Sequence, residues 1–472
     1  MSATKSGNNI QVNGTGNTLT SITADIADTT FIEETSPGVF TIKGNVARYL
    51  QIMNDGELTI GDSGDYSAGE TLIFENPVDY RNRFYNYPGG TFNMYGNSVM
   101  DFGGTLGDRY MYAYMYGQCN ILGDATYKPI IQNITYWWFY ETYYTSGTAY
   151  DQDIWTLNNV IFGSASRGTR NNVYFNRIGK PRAHSMTNVF LDYTKGQGVT
   201  TTRGVRLEAG GPGLYNTLFD GWDFTGMQDG WVIYGICTPP VHFKNAKFGG
   251  ISTDWDVYLD GVAPGPGLDL PLDKDLPLPP RHAQPFFFLD AATFYDSPTN
   301  QNIYVRGGSV VVCKDCDFQN TDGDNFALDS NAHIKLWGTT NTFANYNNTY
   351  NSNGTVLWCY PLDLTIEDQN GNPVENAKVH IEQVDGKEAY IFYTKANGKL
   401  DAYFDIEVAL LANRCQYSDS GYEYWSDTAN GGSHNVTVFK DGYRPQTANY
   451  VMDQDRTDTI TLDRIDAHSL TF

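Results

Sequence analysis

The sequence predicts an all-β protein: a long parallel β-helix solenoid followed by a small antiparallel β-sandwich. Three observations predict it. One six-residue phrase recurs between Ile131 and Phe343, and from Pro361 onward the chain changes to alternating strands split by Asn-Gly turns. The composition, 40% apolar with 48 Gly in 472 residues, is that of a folded, turn-rich chain rather than a disordered one.

The phrase reads apolar, any residue, Asn or a stand-in, small or apolar, any residue, usually aromatic. Its copies are IQNITY from Ile131, LNNVIF from Leu157, MTNVFL from Met186, LYNTLF from Leu214, FKNAKF from Phe243, LDAATF from Leu289, CKDCDF from Cys313 and, more loosely, GTTNTF from Gly338. The starts lie 26, 29, 28, 29, 46, 24 and 25 residues apart, a spacing that stacked coils require and a single closed core does not. Places 4 and 6 alternate as a strand with one inward face does, and place 1 is out of step with place 4. The chain must therefore bend at place 3. Asn tolerates the left-handed backbone region better than other side chains, so Asn133, Asn159, Asn188, Asn216 and Asn245 are expected at corners. Stacking would pile their amides into a structural ladder at a spacing of about 4.8 Å. Asp315 can enter such a ladder, whereas Ala291 and Thr340 interrupt it.

Upstream, QIMNDGELTIGD at 51–62 and GGTFNMYGNSVMDFGG at 89–104 share the strand-and-glycine texture, so the solenoid is expected to span residues 46–358. The repeat resembles the right-handed parallel β-helix family, the architecture of pectin-degrading enzymes and of many phage tailspikes. That resemblance implies a fold and no activity. Residues 1–45 are polar, with a strand-like stretch at Val39–Ile42. They are expected to cover the exposed first coil or to attach the protein to its assembly. The Pro-rich segment 261–285, with its Leu-Pro alternation, is an excursion and not a coil.

Residues 361–472 contain D-x-x-G-N-P-V-x-x-A-x-V at Asp368 to Val379, T-x-A-N-G at Thr394 to Gly398, and a late Gly442-Tyr443 pair. This segment resembles the carboxypeptidase-regulatory-like, transthyretin-like β-sandwich. The resemblance implies an accessory module for folding, spacing or adhesion. A departure is the stretch from Ala409 to Gly432, with Cys415, Tyr417, Tyr422, Tyr424 and Trp425, expected to form a distal loop.

A formal charge of −23 argues against a nucleic-acid partner, because phosphate binding needs a positive surface. No stretch of 18 or more apolar residues exists to insert in a membrane as a helix. The first twenty residues lack the apolar segment of a secretory leader, which suits a particle protein assembled in a host cytoplasm. Cys313 and Cys316 form a CxxC but occupy places 1 and 4 of the phrase, where other copies put Ile or Leu and Val. They are expected to be inward structural thiols and not a metal site. No metal or cofactor is expected.

Asn320-Thr321-Asp322-Gly323 resembles the first signature of polygalacturonase-type glycosidases, but the Asp-Asp, Gly-His-Gly and Arg-Ile-Lys elements are missing. Asp322 is therefore expected to be a turn residue, and the EF-hand spacing that calcium would need at Asp322 and Asp324 is absent. Asp192, Glu208, Asp220, Asp223, Asp254 and Asp256 fall near corners, where two could pair across a groove. Surface Asp is usually only solvated, and no residue is assigned a catalytic role.

Aromatic residues make up 14% of the chain, concentrated at Tyr110, Tyr112, Tyr114 and Tyr116 and in the run from Tyr136 to Tyr144. Since successive strand residues face opposite ways, some of these rings must point outward. Tyr136, Trp137, Trp138, Tyr140, Tyr143, Tyr144 and Trp425 are the candidate site, read first as a subunit interface by analogy with trimeric phage spikes and second as a sugar-stacking surface. The expected function is a non-enzymatic phage virion surface protein: a capsid decoration, spike or fibre. Its expected partners are other virion proteins, two further copies of itself in a homotrimer, and a host surface glycan. The alternatives are a tailspike depolymerase using paired carboxylates and a secreted bacterial adhesin.

Overall fold

The structure, a computed structural model, describes residues 2–44, 46–75, 83–103, 112–140, 154–163, 171–176, 184–192, 194–195, 203–208, 217–227, 231–236, 241–249, 255–260, 286–295, 301–306, 310–319, 324–329, 332–338, 347–351, 355–384, 389–401, 409–413 and 433–465. These residues form a parallel β-helix that runs into a β-sandwich.

Each coil has three faces. The first face is a sheet of 13 described strands from Ser2–Ser6 to Asn347–Asn351, parallel except for its opening pair. The chain then turns into a second face, exemplified by Thr91–Tyr95, Gln118–Leu122, Val241–Lys244, Phe286–Asp290 and Val310–Lys314. It bends into a third, exemplified by Thr71–Phe74, Val99–Asp101, Lys247–Phe248, Thr293–Phe294 and Asp317–Phe318, and returns to the first. In-register stacking places like side chains above one another, so the interior is a set of ring columns. Phe224, Phe248, Phe294 and Phe318 stack in sequence at 5.1, 4.6 and 4.6 Å.

The corner between the second and third faces is built as the repeated phrase requires, with corrections to its phasing. In the early coils the corner takes several residues, such as 61–70 between Glu57–Ile60 and Thr71–Phe74. In Trp155–Phe162 and Ser185–Asp192 it shrinks to one residue inside a continuous strand, Asn159 at φ 54° and Asn188 at φ 52°. Asn245 (φ 52°), Ala291 (φ 52°) and Asp315 (φ 51°) continue the column. Asn133 is also left-handed (φ 58°) but stands elsewhere. Register pairs Ile121 with Leu157 and Ile131 with Phe162, so Gly123 is stacked on Asn159 and Asn133 occupies the corner leading back to the first face.

The copy read from Leu214 is out of phase. Thr187 pairs with Asp220, which puts Gly221 (φ 66°) at the corner and makes Phe219, Trp222 and Phe224 the buried places; Asn216 lies outside the described residues. The last copy starts at Leu336 rather than Gly338, because Gly338 (φ 62°) is itself the bend; Thr340 lies outside the described residues.

The corner ladder belongs to the backbone rather than to amide side chains. The corner N–H of Gly96, Gly123, Gly221, Asn245, Ala291 and Asp315 each donates to a carbonyl of the following coil at 2.7–2.9 Å. Asn amides instead reach back to the coil before, Asn159 to the Gly123 carbonyl (3.2 Å) and Asn245 to Asp220 (2.8 Å). What the position selects is tolerance of positive φ, which Gly, Asn and Asp share and Ala does not. Ala291 is exposed, so little packing depends on its methyl group. Ala291→Gly should therefore relieve about 1–2 kcal/mol of left-handed strain and lose about 0.4–1 to unfolded-state entropy. A thermal melt should show a small net stabilisation, and a lower melting temperature would contradict the assignment of strain to this corner.

The N-terminal segment contains a helix that the sequence reading did not anticipate. Leu19–Ile26 starts at Thr18, whose hydroxyl accepts from the Ser21 N–H while Ser21 Oγ accepts from the Thr18 N–H. Leu19 and Ile22 are fully buried in the solenoid core, and Val39–Ile42 pairs in parallel with Thr71–Phe74.

At the other end, Thr355–Asp368 is one uninterrupted strand. It pairs with His333–Trp337 in the solenoid, and then with Ala409–Asn413 and Arg456–Leu462. A second, four-stranded antiparallel sheet faces it: Ala389–Tyr393, Lys378–Gln383, Ser433–Phe439 and Gln446–Val451. Leu364, Ile366, Val379, Ile381, Val436 and Val438 fill the core between them. The motif residues are structural here. Asp368 accepts the N–H groups of Asn370 and Asn372, Gly371 and Gly398 take positive φ, and Thr394 Oγ1 accepts from the Ala377 N–H while donating to the Val374 carbonyl. The segments 261–285 and 414–432 lie outside the described residues.

Candidate functional site

The first face has an outer surface built almost wholly of rings. In Arg83–Asn86 the side chains alternate, with Phe84 and Asn86 buried and Arg83 and Tyr85 outward. Tyr112–Met115 repeats this, with Ala113 and Met115 inside and Tyr112 and Tyr114 outside. In Tyr136–Tyr140, Trp137 and Phe139 point inward and are fully buried; Tyr136, Trp138 and Tyr140 alternate with them on the other side of the sheet, where Trp138 and Tyr140 are part-exposed and Tyr136 is buried. Trp137 is thus a core residue and leaves the candidate site. Tyr143, Tyr144 and Trp425 lie outside the described residues.

Register turns these outward rings into columns. The central one runs Gln51, Tyr85, Tyr114, Trp138, Tyr174, Arg206, and continues through positions 234, 258 and 304, all tyrosine. Beside it, Tyr112 pairs with Tyr136, and on the other flank Tyr87, Tyr116 and Tyr140 follow one another. Strands about 4.8 Å apart force neighbouring tyrosines to stack. Tyr85 and Tyr114 lie at 4.9 Å and 6°, Tyr112 and Tyr136 at 5.3 Å and 3°, and Tyr114 and Tyr116 at 5.9 Å and 4°. The ring faces therefore cover one another. Burial, then neighbouring tyrosines, pushes Tyr114 up to about 12 and Tyr116 further in the same direction.

Trp138 breaks the stack. Its ring is turned 73°, 77°, 70° and 90° from those of Tyr112, Tyr114, Tyr136 and Tyr174, at 5.0–6.0 Å. Two guanidinium groups bracket the layer. Arg83 lies 5.6 Å from the Tyr49 ring and 5.2 Å from the Tyr112 ring and donates to the Tyr85 hydroxyl at 3.1 Å; Arg206 lies 5.0 Å from the Tyr174 ring.

Four of the six corner carboxylates, Asp192, Asp220, Asp223 and Asp256, are engaged in the fold. Asp192 and Asp223 each accept the N–H and hydroxyl of the Thr two residues on, closing turns. Asp220 accepts from Asn245, and Asp256 is fully buried and accepts from Asn302 at 3.0 Å. Glu208 ends the strand Arg203–Glu208; Asp254 and Asp322 lie outside the described residues, and Asp324 opens the strand Asp324–Asp329. Among the described residues no cluster of three or more His, Cys, Asp or Glu is arranged to hold a metal ion. No helix among them is long and apolar enough to cross a membrane.

No family model, curated protein or solved structure matches the chain.

Cys119, Cys313, Cys316 and Cys359 are buried thiols that form no disulfide among the described residues, and burial pushes those of Cys119 and Cys313 well above their usual range. The folded protein should leave all four unlabelled by a charged thiol reagent at pH 8, and denaturant should expose them. Rapid native labelling of any of the four, read by peptide mass spectrometry, would contradict this burial.

Sequence reasoning pointed to the stretch from Tyr112 to Tyr140 but missed Tyr49, Tyr85, Tyr87, Tyr174, Arg83 and Arg206. A signal was present in the alternation R-F-Y-N, Y-A-Y-M, Y-W-W-F-Y and V-Y-F-N, one short strand per coil. Only register shows that the outward members share one face.

Proposed function

We propose that this protein is a non-enzymatic surface protein of a phage particle, a capsid decoration, spike or fibre. In this reading its solenoid is a stiff rod, and the aromatic outer face attaches it to a surface glycan. The observation that carries the reading is the ring layer around Trp138, in which Tyr85, Tyr112, Tyr114, Trp138 and Tyr140 are part-exposed while Tyr136 and Tyr174 are buried. From Tyr49–Ile52 to Asn171–Asn176 it measures about four strand steps by about five residues, on the order of 300–400 Å². Patches of that size on single chains are often functional, whereas a stable protein interface takes about 800 Å² per partner. This favours a glycan over a subunit interface as the occupant. The described corner carboxylates serve turns and buried bonds, which supports attachment without cleavage.

Placement on a phage particle rests on the likeness of the architecture to tailspikes. The C-terminal segment, similar to carboxypeptidase-regulatory-like modules, is then an accessory spacer or adhesion unit. Immunogold electron microscopy of particles from the source culture tests the placement, and gold on the particle surface is the expected result. Particles free of label and of its peptides would sink it. Release of reducing ends from a bound polysaccharide by the purified protein would replace attachment with depolymerisation.

A further inference from the structure

We infer that the outer face of the four-stranded sheet in the C-terminal sandwich pairs with the same face of a second copy of this chain, across a two-fold axis that lies over His380. The inference is independent of the particle reading and of the ring layer on the solenoid.

Exposure is the first argument. Val379, Ile381, Val436 and Val438 point into the sandwich and are fully buried, so strand alternation sends Lys378, His380, Glu382, Thr437 and Phe439 to the other side. Register sets the outward side chains in rows. Tyr393, Lys378 and Phe439 form one row, Ile391, His380, Thr437 and Thr447 the next, and Glu382, Asn435 and Asn449 a third. Val384, whose N–H donates to the Ser433 carbonyl, stands at the far end with Val451. Tyr393, Phe439, Val384 and Val451 are 51%, 42%, 48% and 44% exposed, and they are four of the nine large apolar side chains exposed among the described residues. Scattered singly such residues need no explanation, but four on one sheet face mark an interaction surface.

Charge complementarity identifies the occupant. The outward side chains of the four strands include one cation, Lys378, and one anion, Glu382; between them lie neutral cross-strand pairs, Thr437 with Thr447 and Asn435 with Asn449, each at 3.1 Å. Lys378 and Glu382 stand two residues to either side of His380 on one strand, about 13 Å apart and out of each other's reach. A two-fold axis running across the strands at His380 lays the copy's strand antiparallel over this one. It brings each Lys378 over the other copy's Glu382 and sets Ile391 over its own counterpart. A sugar would leave both charges without a counter-charge, whereas a copy supplies both. The chain's −23 opposes association, yet this face sums to zero, and at about 0.15 M salt charges more than about 8 Å away are screened. Four strands by seven residues make about 440 Å². That is about half of what each partner buries in a standard interface, so the contact is a weak one.

The test is sedimentation velocity of the full chain over a concentration series in about 0.15 M salt. A monomer–dimer equilibrium weaker than about 1 μM is expected, because interfaces of about twice this area begin there. Lys378→Glu should weaken it by about tenfold or more, since it sets like charges opposite one another at two places in the dimer. Phe439→Ser should do the same by removing an exposed ring without opening the core. Joining Lys378→Glu to Glu382→Lys should restore the dimer to within about threefold, because the reversed pair has the same complementarity. Thermal melts check folding; if Phe439→Ser melts early, the charge reversal carries the comparison. A chain that stays monomeric up to about 1 mM overturns the inference. Association indifferent to both Lys378→Glu and Phe439→Ser overturns the choice of face, and a dimer that the double reversal fails to restore overturns the two-fold arrangement. Association that Trp138→Phe abolishes and Phe439→Ser leaves intact gives the contact to the solenoid instead and overturns the inference as well.

Discussion

Phe294→Ala is expected to cost about 3–5 kcal/mol, the range for removing a buried phenylalanine. Phe294 is fully buried and stacks between Phe248 and Phe318, both 4.6 Å away and within 11° of parallel. In a compact core the surroundings can partly collapse into the space left behind. Here they cannot move far, because the distance between coils is fixed by backbone bonds on every side. Around this residue Thr293 N–H donates to the Ala246 carbonyl and Asp317 N–H to that of Ala292, at 2.9 and 2.8 Å. The cavity therefore stays open, and the loss should fall in the upper part of the range. Denaturant unfolding of the full chain measures it. A loss below about 1 kcal/mol would mean that the coils slide to fill the gap, against the rigidity argued here.

Gly96→Val is expected to cost about 3 kcal/mol or more, for a different reason. Gly96 has φ 57°, a region in which a β-branched residue is a genuine outlier, and its missing Cβ would collide with the carbonyl oxygen and Cα of Tyr66. The obstacle is backbone and not a flexible side chain, so relief requires moving the loop 61–70. That loop is held to this corner by the Asn97 N–H donating to the Tyr66 carbonyl at 2.8 Å and by stacking of Tyr66 on Tyr95. Gly96→Ala should fall between wild type and Gly96→Val, because alanine meets the collision without β-branching. A melting temperature for Gly96→Val within a degree or two of wild type would show that the corner is not tightly packed.

The two variants probe different parts of the repeat. Phe294 tests the stacked interior, whose strength comes from many identical contacts along one axis. Gly96 tests the corners, where single backbone conformations set the coil outline. Neither touches the aromatic outer face, so both should leave any glycan affinity of the folded protein unchanged.

Much of the architecture was legible in the sequence because the solenoid is local and periodic. Each strand pairs with its counterpart one coil away, so a phrase that recurs reveals the coil. The apolar places did so well: Leu157, Val160, Met186, Val189, Phe243, Ala246, Cys313 and Cys316 are all buried, as their places in the phrase require. The phasing was less secure where another copy mimicked the phrase. LYNTLF at Leu214 has the right letters, but Phe219-Asp220-Gly221-Trp222 holds the corner five residues later, because glycine does there what asparagine does elsewhere. IQNITY at Ile131 failed in another way. Asn133 is left-handed, but at a different corner of the coil, and one residue's conformation does not say which corner it makes.

The sequence by itself determined the fold class, the inward thiols and the existence of an outward aromatic surface. Those follow from strand alternation and from the few residues that accept positive φ, both properties of short segments. Tertiary structure decided which aromatics share a face, and with them the site. Tyr85, Tyr114, Trp138 and Tyr174 are 29, 24 and 36 residues apart in sequence and adjacent in space, a relation set by coil length and register. The same register sent Trp137 into the core, placed Trp138 among four tyrosines and set Arg83 against Tyr112 in one column and Arg206 against Tyr174 in the next. A one-residue slip reverses every side chain of a strand, so composition alone shows that rings are exposed, and the stacking of coils fixes which ones.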